Sequence, residues 1–181
     1  MTCGNNLFVL TGASGSGKSS ILAALQQRGF HCVEEIGRRI VREQIDCDGT
    51  ATPWQDHAAF MQALLARSDQ AYRAARGISA PVFFDRALPE CLSFVRTLDP
   101  AERERWLATI EDSHYNRLVF VTPPWREIYR GDAERRHSFE QGVRDHEDAL
   151  ASYRECGYTL LAVPRDSVEK RAAFVVGHAL E

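Results

Sequence analysis

Residues 11–20, T-G-A-S-G-S-G-K-S-S, fit the spacing G-x-x-x-x-G-K-[ST], with Gly12, Gly17, Lys18 and Ser19 in the fixed places and Gly15 as an extra hinge. A loop of this kind binds phosphate. Its glycines let the backbone turn tightly enough to aim several N–H groups at one anion, and the following helix adds the positive end of its dipole there. The cradle runs through Gly12, Ala13, Ser14, Gly15, Ser16, Gly17, Lys18, Ser19 and Ser20. Lysine usage points the same way, because Lys18 and Lys170 are the only lysines among 22 basic residues. A chain that otherwise uses arginine has put a compact ammonium where the outer phosphates of a nucleoside triphosphate would lie.

Three further groups of residues are candidates for chemistry. Asp85 closes the apolar run "PVFFD", the pattern of a strand whose terminal carboxylate holds Mg²⁺ together with the hydroxyl of Ser19. Without a metal, the same Asp would cap the next helix. Arg86 follows and would reach either a transferred phosphoryl group or a structural carboxylate. Glu35, in "HCVEEIGRRIVRE", falls where an acceptor would face the triphosphate and could take a hydroxyl proton, with Glu34 as the alternative. Arg38 and Arg42 lie one helical turn apart, either facing an anionic acceptor or forming a solvated face. Arg126, Arg130, Arg135 and Arg136 crowd the segment "PPWREIYRGDAERRHS", residues 123–138. Guanidinium groups stabilise the charge of a phosphoryl group in transfer, and Arg130 and Arg136 are the preferred pair. The prolines oppose a regular helix and Gly131 offers a hinge, so the segment reads as a mobile lid. No histidine has metal-ligand spacing.

The elements that must position these residues are legible as alternating periods. "LFVLT", "FHCVE", "PVFFD", "RLVFVT" and "YTLLAVP" read as five buried strands. Helical patterns separate them. One from Pro53 to Arg76 carries the stripe Trp54, Ala58, Met61, Leu65 and Tyr72, and another from Ser138 to Cys156 carries Phe139, Val143, Leu150 and Tyr153. The alternation predicts an α/β fold: a five-stranded parallel sheet with helices on both faces, one P-loop NTPase domain across residues 1–181, and ligands at the carboxyl ends of the strands.

Composition narrows the partners. Net charge is −3, which gives no bulk field for nucleic acid or membrane. The five cysteines are scattered and make no C-x-x-C pair, so the expected compartment is a reducing cytoplasm. Guanine-reading N/T-K-x-D and γ-phosphate-sensing D-x-x-G are both missing, and so is an acid beside Asp85 to polarise water. These absences point away from GTPase switches and mechanochemical ATPases.

Taken together, "TGASGSGKSS", "VEEIGRRIVREQ", "PWQDHAAF", "FFDRALPE" and "PPWREIYRGDAERRHSFE" resemble the small bacterial AAA-domain ATPases of the NadR type. Relatives of that group include the ribosylnicotinamide kinase domain of NadR and the N-terminal domain of a eukaryotic protein needed for TRPL channel translocation. The resemblance runs from about residue 5 to 178. It implies a kinase-like P-loop core, ATP or GTP binding and Mg²⁺ dependence, and carries no acceptor with it. The reading that follows is an ATP- and Mg²⁺-dependent phosphotransferase for a nucleoside-like small molecule, with Lys18, Asp85, Arg86, Glu35, Arg130 and Arg136 at its centre. A nucleotide-binding regulatory module with slow hydrolysis is the rival.

Overall fold

The computed structural model describes residues 6–130 and 138–180. Its elements run β1 (Leu7–Gly12), α1 (Lys18–Gln27), β2 (His31–Val33), α2 (Ile36–Asp46), α3 (His57–Ala75) and β3 (Val82–Asp85). A 3₁₀ turn (Leu88–Cys91) then leads through α4 (Leu92–Val95), α5 (Pro100–Glu111), β4 (Leu118–Thr122), α6 (Phe139–Glu155), β5 (Thr159–Ala162) and α7 (Val168–Ala179). The strands form one parallel sheet in the order β2-β3-β1-β4-β5, as the alternating pattern predicts.

The central strand is apolar on both sides because helices cover both faces. Leu7 and Val9 of β1 join Val82, Phe84 and Val119 against Leu65, Tyr72, Trp106 and Tyr153. Phe8 and Leu10 point the other way, with Phe83 and Phe120, onto Ile21 and Leu25 of α1 and Ala172 and Val175 of α7. Parallel register aligns the carboxyl ends: Leu10 sits opposite Asp85, and Gly12 opposite Thr122. The polar strand-end residues therefore converge on one edge of the sheet.

Two helices depart from expectation. The helix expected from Pro53 begins at His57, because Asp56 takes the N-cap and accepts a hydrogen bond from the Ala59 amide. Trp54 thus precedes the helix and is exposed, as is Ala58. The buried stripe of α3 runs instead through Phe60, Leu65, Ser68, Tyr72 and Ala75. In α6 the buried line is Gly142, His146, Ala149, Ser152 and Tyr153, so Phe139, Val143 and Leu150 lie at its margins. Among the described residues no helix is long and apolar enough to cross a membrane.

Candidate active site

The phosphate loop is built by close approach to β4. Gly12 has φ +135°, and a Cβ there would lie 2.1 Å from the carbonyl oxygen of Thr122. Only glycine allows that contact. Thr122 also donates to the Thr11 carbonyl at 3.0 Å, and its carbonyl accepts from the Ala13 amide at 3.2 Å. Ser16 donates to the Ala13 carbonyl at 2.6 Å. On the far side, Gly17 (φ +86°) leaves room for Arg171 of α7, whose guanidinium donates to the Ser16 carbonyl at 2.8 Å. Arg171 is 2% exposed and faces the Trp125 ring, 5.5 Å away.

Lys18 is buried, and its ammonium donates to the carbonyls of Gly12 (3.2 Å) and Ala13 (3.1 Å). Burial, and next the Arg86 charge, push its pKa down; Asp85, Glu35 and Glu90 oppose them. The amine is thus packed among its own loop's carbonyls at the place where an anion would compete for it.

Asp85 is 3% exposed, and burial raises its carboxyl to about 6, with Lys18 opposing and Glu35 adding to the rise. Its Oδ2 accepts from Ser19 Oγ at 3.5 Å, while its Oδ1 is buried without a hydrogen-bond partner. A carboxylate with an orphaned oxygen beside a hydroxyl is a donor set that fits a hard cation. Mg²⁺ commonly takes one or two protein oxygens and fills its shell with water and phosphate.

Arg86 has a left-handed backbone (φ +67°). Its guanidinium donates to the Gly12 carbonyl at 3.0 Å and to Glu90 at 2.5 Å, and its Nε lies 3.4 Å from Glu35. Burial disfavours the charge, but Glu90, Glu35 and Asp85 outweigh it and hold the pKa above the ordinary arginine value. Glu35 is the positional N-cap of α2, yet it makes no cap hydrogen bond and turns to Arg86 instead. Glu34, its neighbour, is exposed.

Glu90 was not singled out from the sequence. Its Oε1 accepts from Thr11 (2.6 Å) and Tyr153 (3.0 Å), and its Oε2 takes Arg86. One carboxylate thus ties β1, α6 and the Asp85 strand together. Only its spacing of one helical turn from Arg86 could have signalled the pair.

Two cavities open at this edge. One, of about 500 Å³, is lined by Gly15, Gly17, Lys18, Ser19, Ser20, Arg38, Trp125, Ile128, Arg130, Asp166 and Arg171. The other, of about 600 Å³, is lined by Ser14, Asp85, Arg86, Glu90, His57, Phe60, Asp145 and Asp148, among others. Glu35 lines both. Arg38 faces the phosphate-loop cavity, and exposed Arg42 lines neither, so the two do not share a chamber.

The arginine-rich segment divides. Residues 123–130 form an irregular stretch with a turn at 126–128. Arg126 is held by Glu140, lies over the Phe139 ring and lines neither cavity. Arg130 lines the loop cavity. Gly131, Arg135 and Arg136 lie outside the described residues.

Known proteins give this geometry a context. The family model described as "AAA domain" matches residues 7–171. The chain belongs to the AAA domain family. The match marks this AAA domain as a P-loop NTPase; it does not resolve a NadR type within the family. Two solved structures of M. mycoides deoxyadenosine kinase are similar in fold. The form with dCMP and dCDP has TM-score 0.66 and 16% identity, covering 95% of this chain and 97% of that one. The form with dATP has TM-score 0.64 and 13% identity, covering 97% and 100%. Shikimate kinase from Acinetobacter baumannii with shikimate has TM-score 0.55 and 15% identity, covering 96% and 92%. No curated protein matches the AAA domain described here.

Proposed function

We propose that this AAA domain, acting as one unit over residues 1–181, is an ATP-dependent phosphotransferase for a small, nucleoside-like acceptor. The observation that carries the reading is that two cavities meet at Glu35, one holding the phosphate loop and the other Asp85 and Arg86. A protein that only bound or hydrolysed ATP would need one chamber. The likeness to deoxyadenosine and shikimate kinases, proteins with a second substrate beside the nucleotide, supports the same reading. A NadR-type relationship and a cytoplasmic setting are consistent with it.

In this reading the loop amides and Lys18 hold the outer phosphates, the ammonium leaving its carbonyl partners for the anion. Glu35, oriented by Arg86, accepts the proton of the acceptor hydroxyl. The freed oxygen bonds to the γ-phosphorus as the bond to the bridging oxygen of ADP breaks. Arg130, and Arg136 from outside the described residues, stabilise the equatorial charge. Ser19 and Asp85 would hold Mg²⁺, which supplies charge neutralisation at the phosphates when bound.

The test is ATP consumption with and without a panel of nucleosides and hydroxylated metabolites. Phosphorylated product and faster ATP loss support transfer. Slow consumption unaffected by every compound would mean a nucleotide-binding module.

A further inference from the structure

The second cavity is charged as well as shaped. Its body is apolar, formed by Ile36, Phe60, Met61, Leu64 and Phe94. Around it stand five carboxylates: Glu35, Asp85, Glu90, Asp145 and Asp148. Among the described residues, Arg86 is the one lysine or arginine that lines it, and its guanidinium is already donated to Glu90, to the Gly12 carbonyl and toward Glu35. Asp85 adds a buried oxygen with no hydrogen-bond partner. Asp145 and Asp148 come from α6, one turn apart, and both border the chamber. Gln141 donates to Asp145 at 2.6 Å, which leaves its charge in place.

An anion entering here would lose water beside carboxylates with no uncommitted lysine or arginine among the described residues to receive it, His57 being the one other basic side chain in the lining. A cleft lined by one sign of charge with apolar walls focuses that field, so even partly exposed aspartates act on what enters. We propose that this cavity takes a hydroxylated acceptor with an apolar body and no anionic group, neutral or cationic, and that Asp145 and Asp148 turn away phosphorylated and carboxylated compounds. The proposal rests on the phosphotransferase reading and gives it a substrate class. It also sets this chain apart from the shikimate kinase whose fold it shares, since shikimate is a carboxylate.

The charge selection is measurable without turnover. A matched pair of small cationic and anionic nitroxides, added to the full-length protein, should broaden the methyl resonances of Ile36, Met61 and Leu64 unequally, the cationic probe several-fold more. In D145N/D148N, two conservative changes on an exposed helix face, that ratio should fall by several-fold. Equal broadening, or stronger broadening by the anion, overturns the proposal. Transfer from ATP to adenosine (neutral), 7-methylguanosine (cationic), AMP and shikimate (anionic) completes the test. Wild-type product from AMP or shikimate also overturns it. Preference for the cationic probe with no product from any compound would leave the charge selection standing and count against the phosphotransferase reading.

Discussion

The hydroxyls of Ser16 and Thr122 lie 2.6 Å apart, so the phosphate loop is fastened to the end of β4 as well as to the helix it begins. The backbones are pressed together at the same place, where a Cβ on Gly12 would come within 2.1 Å of the Thr122 carbonyl. Gly12→Ala should therefore cost several kcal/mol of stability and abolish detectable ATP binding, because the clash is with backbone and the residue needs positive φ. Adding Thr122→Ala should not rescue it. Calorimetric ATP titration and chemical denaturation of both variants check this, and rescue by the second change would contradict it.

Asp85 provides a pH signature. Its folded-state pKa of about 6 stands above the ordinary 3.8. A group raised in this way contributes stability that is fully present below about pH 4 and is lost as pH rises through 6. In Mg²⁺-free buffer, wild type should lose on the order of 3 kcal/mol relative to Asp85→Asn between pH 4 and 7. Denaturant midpoints at the two pH values give the comparison, and a constant difference between the proteins would refute it. Turnover should move oppositely, with Asp85→Asn slower by orders of magnitude at neutral pH.

Glu90→Gln keeps the shape that Thr11 and Tyr153 donate to but removes the charge opposite Arg86. About a quarter of the Arg86 side chain is exposed, so the loss should fall below that for a fully buried pair, at roughly 2 to 3 kcal/mol. A smaller drop in kcat should accompany it, since Arg86 would no longer hold Glu35 in one position. A urea titration with unchanged slope measures the first effect. Wild-type stability in the variant would show that the pair contributes nothing net.

Arg130 lines the loop cavity and Arg126 is tied to Glu140, so the two offer a test of nucleotide contact against scaffold. Arg130→Ala should lower the rate of phosphoryl transfer about 10- to 1,000-fold with little change in ADP affinity, since ADP lacks the γ-phosphate. Arg126→Ala, which removes only the Glu140 and Phe139 contacts, should leave the rate within about twofold. Equal effects of the two substitutions would mean the segment acts as a whole and not through Arg130.

Much of the phosphate side was readable because its residues are contiguous or sit at strand ends. The P-loop, Asp85 and the five strands follow from short-range spacing and apolar runs. What the sequence hid was convergence. His57, Asp145 and Arg171 reach the site from elements dozens of residues from the loop and from Asp85, and no local period marks them. The arginines of residues 126–136 are chemically alike, so only packing distinguishes Arg126, turned to Glu140, from Arg130. Arg38 was visible as a candidate, but which cavity it faces depends on how α2 is rotated against the sheet. Trp54 misled because an apolar residue just before an N-cap looks like the first knob of the helix stripe.

The placement of β1 has a consequence for how a ribosome must deliver this protein. The strand emerges long before its two sheet partners, β3 and β4, which begin at Val82 and Leu118. The Ser16 carbonyl must then wait for Arg171, 155 residues downstream. Until β3 and β4 follow, an apolar segment with unpaired edges travels on the nascent chain, the kind of exposed template that invites pairing with the wrong strand. The nucleotide cradle is thus translated well ahead of the elements that complete it, and a chain stalled before α7 would carry the binding motif without its buried arginine clasp.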